Sequence, residues 1–348
     1  MSVRSIPLRL TTLPVQDRRR RPLRDLRISV IETCNFRCPY CMPEERYPHD
    51  EPGDSQTRLN FDEIERAARA FARAGVRKLR LTGGEPLLRR GLPDLVARLV
   101  RIEGIEDLAL TTNGSLLARQ ARALREAGLK RLTVSLDTLE PARFRTLSGG
   151  RGEIADVLDG IAAAEAAGFS SIKFNCVVQR DVNEDDVLPL LERFRGTPHV
   201  VRFIEYMDVG TCNGWREDQV VSSATLRERI AARWPLRELG ADYRGEVAER
   251  YAYVDGAGEI GFVSSVTAPF CGDCHRARLS ADGQLYTCLF AASGHDLRTA
   301  LRGGASEDEM SELISRVWSA RDDRYSEVRH ALRREGAPEH VEMYRIGG

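Results

Sequence analysis

The sequence predicts an α/β fold built on a parallel sheet, doubly wound or curled into a partial barrel. Three observations carry this. Between residues 25 and 206, six short β-rich runs alternate with amphipathic helical stretches, the pattern of successive βα units. Gly75, Gly128 and Gly168 stand where helices of that pattern should end. Small and polar residues gather near the end of each run, as they do where loops at one rim of a parallel sheet assemble a site.

Taken in order, Leu26–Ile31 is the first strand, followed by a cysteine-rich segment and a helix over Phe61–Ala74. Lys78–Thr82 leads into Gly83-Gly84-Glu85-Pro86 and a helix over Leu92–Arg101. Leu108–Thr111 precedes Thr112-Asn113-Gly114 and a helix over Leu116–Ala127. Arg131–Leu136 runs into Asp137, ahead of a helix over Ile154–Ala167. Ser171–Val178, which includes Lys173-Phe174-Asn175 at the expected rim, is followed by a helix over Asp185–Phe194. Val200–Tyr206 ends the series at Met207. Beyond Asp208 come an irregular loop over 209–225, antiparallel β structure over 242–288, a helix near Glu307–Ala320 and a polar tail. Asp255–Gly258 and Ala281-Asp282-Gly283 are expected turns. The chain divides accordingly into an N-terminal arm (1–24), a barrel-like part (25–208) and a C-terminal region (209–348).

The 52 basic residues balance 52 acidic ones across 348 positions, which argues against broad contact with nucleic acid or a membrane surface. No apolar run approaches the roughly 18 residues of a membrane span. The segment Met1 to Leu23 is rich in arginine, with a run at Arg18–Arg21. Asp17 and prolines interrupt any amphipathic helix there, so a solvated basic arm is expected rather than a transit peptide. Lys78, Lys130 and Lys173 are the lysines among many arginines, so a lone arginine carries little weight.

The cysteines carry more. Eight are too sparse for a disulfide scaffold, and six form two triplets, Cys34-x3-Cys38-x2-Cys41 and Cys271-x2-Cys274-x13-Cys288. Cys176 and Cys212 stand apart, as ordinary reduced thiols. A structural zinc site wants four ligands. Three thiolates on a four-iron cubane leave one iron open to another ligand. Zinc would need a fourth ligand at each triplet, and His275, adjacent to Cys274, is poorly placed to join the same tetrahedron. The phosphate-loop pattern G-x4-G-K-[ST] does not occur.

The first triplet, directly after a strand and with Gly83-Gly84-Glu85-Pro86 after the next, resembles the signature of the radical S-adenosylmethionine (SAM) superfamily. The second narrows the resemblance. Cys271-x2-Cys274-His275-Arg276-Ala277-Arg278-Leu279 and Cys288-Leu289-Phe290 resemble the auxiliary-cluster segment of the GTP 3′,8-cyclase family of molybdenum cofactor biosynthesis. Asp25-Leu26-Arg27-Ile28-Ser29, Arg80-Leu81-Thr82, Met207-Asp208-Val209-Gly210, Asn213-Gly214-Trp215 and the terminal Gly347-Gly348 extend it over nearly the whole chain. Two departures are Ile31-Glu32-Thr33, where the family usually has Thr-Asp-Arg, and His275, where it has Asn.

This resemblance implies an incomplete (βα)6 TIM-type barrel of the radical SAM kind, with a C-terminal antiparallel β/α extension carrying a second iron–sulfur cluster. It implies two 4Fe-4S clusters, one on Cys34, Cys38 and Cys41 with S-adenosyl-L-methionine, the other on Cys271, Cys274 and Cys288 with the substrate. Tyr40, Gly84, Glu85, Ser135 and Met207 are the implied SAM contacts, with Glu85 either accepting from the SAM amino group or only ordering its loop. Arg27, Arg80, Thr111, Lys173, Arg276, Ala277 and Arg278 are the implied GTP contacts, with Lys78 and Arg202 as further candidates. Gly347 and Gly348 would reach into the active site.

The implied reaction is a lyase-class carbon–carbon bond formation. A 5′-deoxyadenosyl radical takes hydrogen from C3′ of the GTP ribose, and C3′ then attacks C8 of guanine. One electron and one proton complete (8S)-3′,8-cyclo-7,8-dihydroguanosine 5′-triphosphate. An electron donor such as flavodoxin or ferredoxin, a downstream cyclic pyranopterin monophosphate synthase, and a cytoplasmic monomer or homodimer are also implied. The alternatives are a peptide- or protein-modifying radical SAM enzyme with an auxiliary cluster, and a non-catalytic iron–sulfur or metal carrier.

Overall fold

The computed structural model describes residues 14–47, 56–336 and 339–347. Six strands, β1 (Asp25–Ser29), β2 (Lys78–Thr82), β3 (Asp107–Thr112), β4 (Arg131–Ser135), β5 (Ile172–Val178) and β6 (Val200–Glu205), pair in parallel in chain order. The helices between them are α1 (Phe61–Arg73), α2 (Leu92–Leu99), α3 (Ala121–Glu126), α4 (Pro141–Leu147), α5 (Ile154–Ala166) and α6 (Val187–Phe194). Strand parity decides between the two expected architectures. Leu26 and Ile28, Leu79 and Leu81, and Phe174 and Cys176 are buried under the helices. Between them Arg27, Arg80, Lys173 and Asn175 border an internal cavity. A doubly wound sheet buries both faces and needs apolar residues on each. One polar face requires a curled sheet around a cavity. Each buried Leu, Ile or Phe of the outer face contributes about 1.5–3 kcal/mol.

Local chemistry sets the element ends. Asn60 caps α1 in a reciprocal pair with Glu63, worth about 1 kcal/mol. Gly75 follows it at φ +112°, where a Cβ would stand 2.6 Å from Cα of Pro14. That glycine both ends the helix and admits the N-terminal segment. The helix expected over Leu116–Ala127 is instead a short 3-10 turn and then α3, broken at Gln120, whose side chain donates to the Leu87 carbonyl at 2.8 Å.

The remaining elements are α7 (Ser223–Ala231), β7 (Leu236–Leu239), β8 (Glu249–Tyr253), β9 (Glu259–Val263), β10 (Arg276–Leu279), β11 (Gln284–Tyr286), β12 (His295–Asp296), α8 (Arg298–Arg302), α9 (Glu307–Ser319), α10 (Tyr325–Arg334) and α11 (Met343–Ile346). The region expected to be antiparallel is so only at its outer strands. β9 joins β6 in parallel and β10 joins β1 in parallel, extending the sheet at both edges, while β7–β8 and β11–β12 add antiparallel wings. The loop expected through residue 225 gives way to α7 at Ser223, capped by Ser222, and the polar tail contains α10 and α11.

The basic arm is not wholly solvated. Arg18 and Arg20 face solvent, but Arg21 is 1% exposed and pairs with Asp17 at 2.6 Å. The acid that interrupts the arginine run supplies the counter-charge that lets one of them be buried. Residues 1–13 lie outside the described residues. Among the described residues no helix is long and apolar enough to cross a membrane.

Candidate active site

Topology sets the two cysteine triplets at opposite ends of the parallel strands. Cys34, Cys38 and Cys41 follow the C-terminal end of β1. Cys271 and Cys274 precede the N-terminal end of β10, which runs beside β1 with Arg276 opposite Asp25. β11 runs back antiparallel to β10, so Cys288, just past it, returns to the side of Cys271 and Cys274. All six cysteines border one cavity of about 490 Å³.

Arg37, 1% exposed, shapes the first loop by donating to the carbonyls of Cys34, Phe36 and Tyr47 at 2.7, 2.9 and 2.9 Å. The Phe36 and Phe290 N–H groups donate to the sulfurs of Cys34 and Cys288 at 3.4 and 3.5 Å, and Arg276 Nη2 lies 3.4 Å from Cys274 Sγ. Burial pushes the thiols of Cys34 and Cys288 up to about 12 and raises those of Cys38 and Cys41 too. Burial also opposes ionisation of Cys274, but Arg276 and Arg321 outweigh it and bring that thiol down to about 5. Bound iron would supply the positive charge that buried thiolates lack. Among the described residues, no three His, Cys, Asp or Glu side chains are grouped as on a single metal ion. A cubane spreads three thiolates over three irons, and this donor set fits that group.

Tyr40, Gly84, Ser135 and Met207 border the cavity on the side of the first triplet, each in the cysteine loop or at the C-terminal end of a strand. The glycines seat their loop on the cysteine loop. A Cβ on Gly83 would stand 2.4 Å from the Ile31 carbonyl oxygen, and one on Gly84 2.3 Å from that of Thr33. The Gly84 and Glu85 N–H groups donate to those two carbonyls at 2.8 and 2.9 Å. Glu85 lies outside the cavity lining. Its carboxylate accepts from Leu87 N–H, the Thr112 hydroxyl and Asn113 N–H at 3.0, 2.7 and 2.8 Å, and burial raises it to about 7. Those bonds order the loop, one of its two expected roles. Asp137, raised to about 6 by burial, accepts the Tyr40 hydroxyl at 2.8 Å and the Val177 N–H at 2.8 Å.

The cationic residues line the wall between the two ends. Arg27 stands in register with Arg278 on one neighbouring strand and with Arg80 on the other. Arg80 Nη1 is aimed by the hydroxyls of Thr111 and Thr133 at 2.9 and 3.0 Å. Lys173 and Arg202 extend the wall, with Arg202 Nε on Asn175 Oδ1 at 3.0 Å. Lys173, second in β5, therefore sits along its strand rather than at the C-terminal rim expected for it, and Arg27 and Arg80 stand mid-strand beside it. Burial, then neighbouring arginines, bring Arg80 down to about 10, Arg202 to about 9 and Lys173 to about 8, and lower Arg27 as well. Adjacent buried cations that depress one another make a receptor for a polyanion.

Ala277 is fully buried and reaches the site only through its strand, while Arg276 and Arg278 border the cavity. Arg278 Nη1 donates to the carbonyls of Ile346 and Gly347. Gly347, at φ +67°, packs where a Cβ would meet Thr82 Cγ2 at 2.1 Å, so the chain end is tucked beside the wall. Gly348 lies outside the described residues. His275 turns away from the cavity, its Nδ1 3.3 Å from Asp25 and its Nε2 3.2 Å from the Arg244 carbonyl. Sequence reasoning missed Arg131, which borders the cavity and pairs with Asp107 at 2.9 Å. Its parity with Ser135 on one strand was the available signal.

Comparison with known proteins agrees with this layout. Residues 28–194 match the model of the Radical SAM superfamily, and residues 199–327 match that of Molybdenum Cofactor Synthesis C. A protein of Xanthomonas axonopodis pv. citri named GTP 3′,8-cyclase is 68% identical over 97% of this chain and 100% of its own. Another so named, from Acidothermus cellulolyticus, is 54% identical over 94% of this chain and 92% of its own. The crystal structure of Streptococcus suis SuiB bound to S-adenosylmethionine matches with a TM-score of 0.59 at 13% identity, over 84% of this chain and 68% of that one, a likeness of fold alone. The parallel barrel, the paired cysteine triplets and these relatives agree: the chain belongs to the GTP 3′,8-cyclase family of radical SAM proteins.

Proposed function

We propose that this chain converts GTP to 3′,8-cyclo-7,8-dihydro-GTP, a lyase forming a carbon–carbon bond at the entry to molybdenum cofactor biosynthesis. The in-register row Arg278–Arg27–Arg80, along a cavity with a cysteine triplet at either end, carries this reading. Bound SAM and a 4Fe-4S cluster on Cys34, Cys38 and Cys41 would supply the hydrogen-abstracting radical, and a second 4Fe-4S cluster on Cys271, Cys274 and Cys288 would hold the guanine. Tyr40, braced by Asp137, and Gly84, Ser135 and Met207 form the SAM end. Glu85 fixes the loop that carries Gly84. The arginine row, Lys173, Arg131 and Arg202 take the triphosphate, with Thr111 aiming Arg80. Arg276 neighbours both Cys274 and the wall, and so lies where guanine and ribose would meet. The tail at Ile346 and Gly347 would leave Arg278 as GTP enters and close over it. Holding GTP between the two ends fixes C3′ near C8 and excludes water from the radical.

The arm at 1–24, the barrel at 25–208 and the cluster-bearing region at 209–348 would work as one cytoplasmic unit, monomeric or as a homodimer. A flavodoxin or ferredoxin would supply electrons, and a cyclic pyranopterin monophosphate synthase would receive the product. The test is anaerobically reconstituted protein given SAM, a reductant and GTP. The expected outcome is the cyclised nucleotide alongside 5′-deoxyadenosine, on protein carrying roughly eight irons. Normal SAM cleavage without a guanosine product would overturn the proposal.

A further inference from the structure

Behind the second triplet lies a buried ionic cluster with no part in holding the wall of cations. Arg321 has a side chain 1% exposed and donates from Nη1 to the Cys274 carbonyl at 2.7 Å and to Asp17 Oδ2 at 3.1 Å, and from Nε to Asp323 Oδ2 at 3.3 Å. Arg21 is equally buried, bonded to Asp17 at 2.6 Å and to the carbonyls of Cys271 and Asp323 at 2.8 and 2.7 Å. Trp318 stacks 4.5 Å from the Arg321 guanidinium and donates to the Arg21 carbonyl at 3.0 Å. Thr287, one residue before Cys288, donates to Asp323 at 2.6 Å. Residues 17, 21, 321 and 323, from opposite ends of the chain, thus converge on the carbonyls of Cys271 and Cys274 and on the side chain that precedes Cys288.

Burying ion pairs costs several kcal/mol per ion, and apolar packing would hold the loop at least as firmly. What apolar packing cannot supply is fixed charge beside the site, unscreened by water. Arg321 also borders the cavity, so its charge lies at the cluster position and not merely beneath the fold. Charge and hydrogen bonding around a cluster set its potential.

We infer that Arg321, held by Asp17 and Asp323 and backed by Arg21, is a positioning residue that sets the reduction potential of the second cluster. This rests on the reading that Cys271, Cys274 and Cys288 carry an iron–sulfur cluster. A cation favours the reduced state, which holds one more electron. Arg321→Gln therefore makes the one-electron potential more negative, Asp323→Asn makes it more positive, and Arg321→Lys restores most of the difference.

The measurement is a potentiometric titration followed by electron paramagnetic resonance on the anaerobically reconstituted full chain. The signal that changes on adding SAM reports the first cluster and serves as the internal control. The expected shift for Arg321→Gln is about tenfold in the electron-transfer equilibrium, about 59 mV for a one-electron couple. Both clusters present in the two variants with the second potential unmoved would overturn the inference. If Arg321→Gln fails to fold, the half-exposed Asp323→Asn decides alone, a positive shift supporting the inference and no shift overturning it. Wild-type protein with roughly four irons and a single signal would instead overturn the two-cluster reading, and the inference with it.

Discussion

Lys173 shows how much one side chain can report. Burial and then Arg202 and Arg131 bring its ammonium down to about 8, so near that pH the free protein carries it partly neutral. A triphosphate beside it would restore the charged form. GTP binding should therefore take up about half a proton near pH 8, and affinity should fall as pH rises further. Calorimetry at pH 8 in buffers of different ionisation enthalpy, without SAM, reads the uptake directly. Lys173→Met should lose most of the uptake at pH 8 and shift the fall in affinity to higher pH, where Arg202 titrates, and a wild-type protein binding GTP with no proton exchange would remove Lys173 from the triphosphate site. The sequence marks Lys173 because lysine is rare in this chain, and Arg27 and Arg80 because they match family positions. Arg131 was hidden among many arginines, and only its place on the inward face of β4 separates it from a solvated one.

At the scale of elements, the strands were legible because parity wrote them. The outward faces are largely apolar, and each inward face carries a charge or hydroxyl, so the bounds of β2 are as expected and the others shift by a residue or two. α10 was not legible, because its buried face is not apolar. It presents Tyr325 and Arg329 to Asp208, which accepts from Tyr325 at 2.7 Å, Arg329 at 2.8 Å and Arg333 at 3.3 Å. A helix docked through a buried carboxylate leaves no hydrophobic period to find. Asp208→Ala strands Arg329, which is fully buried, and should cost about 3–5 kcal/mol in denaturant unfolding. Hydrogen exchange over residues 325–334 should quicken before the rest of the chain. Because Asp208 adjoins Met207, which borders the cavity at the proposed SAM end, SAM affinity should fall as well; unaltered exchange in α10 would show that other contacts hold it.

Across the whole molecule, the sheet is what sets the two triplets apart, as the separate tasks proposed for them require. β1 and β10 are neighbours and parallel, yet one triplet leaves the C-terminal end of β1 and the other enters the N-terminal end of β10, so neighbouring strands carry them to opposite ends of one cavity. The sequence showed two triplets but not their separation, since that depends on β10 crossing from the C-terminal region to lie against the first strand. The arrangement implies that the two ends can be disabled independently. Replacing Cys34, Cys38 and Cys41 by Ala should abolish 5′-deoxyadenosine formation while GTP still binds the cationic wall. Replacing Cys271, Cys274 and Cys288 should leave roughly four irons and SAM cleavage under reductant, but no cyclised nucleotide and weakened GTP binding. Iron analysis, product chromatography and GTP calorimetry on the two triple variants check this together. Were the second variant still to make product, the far end of the cavity would be a structural clamp and the arginine row alone would hold the substrate.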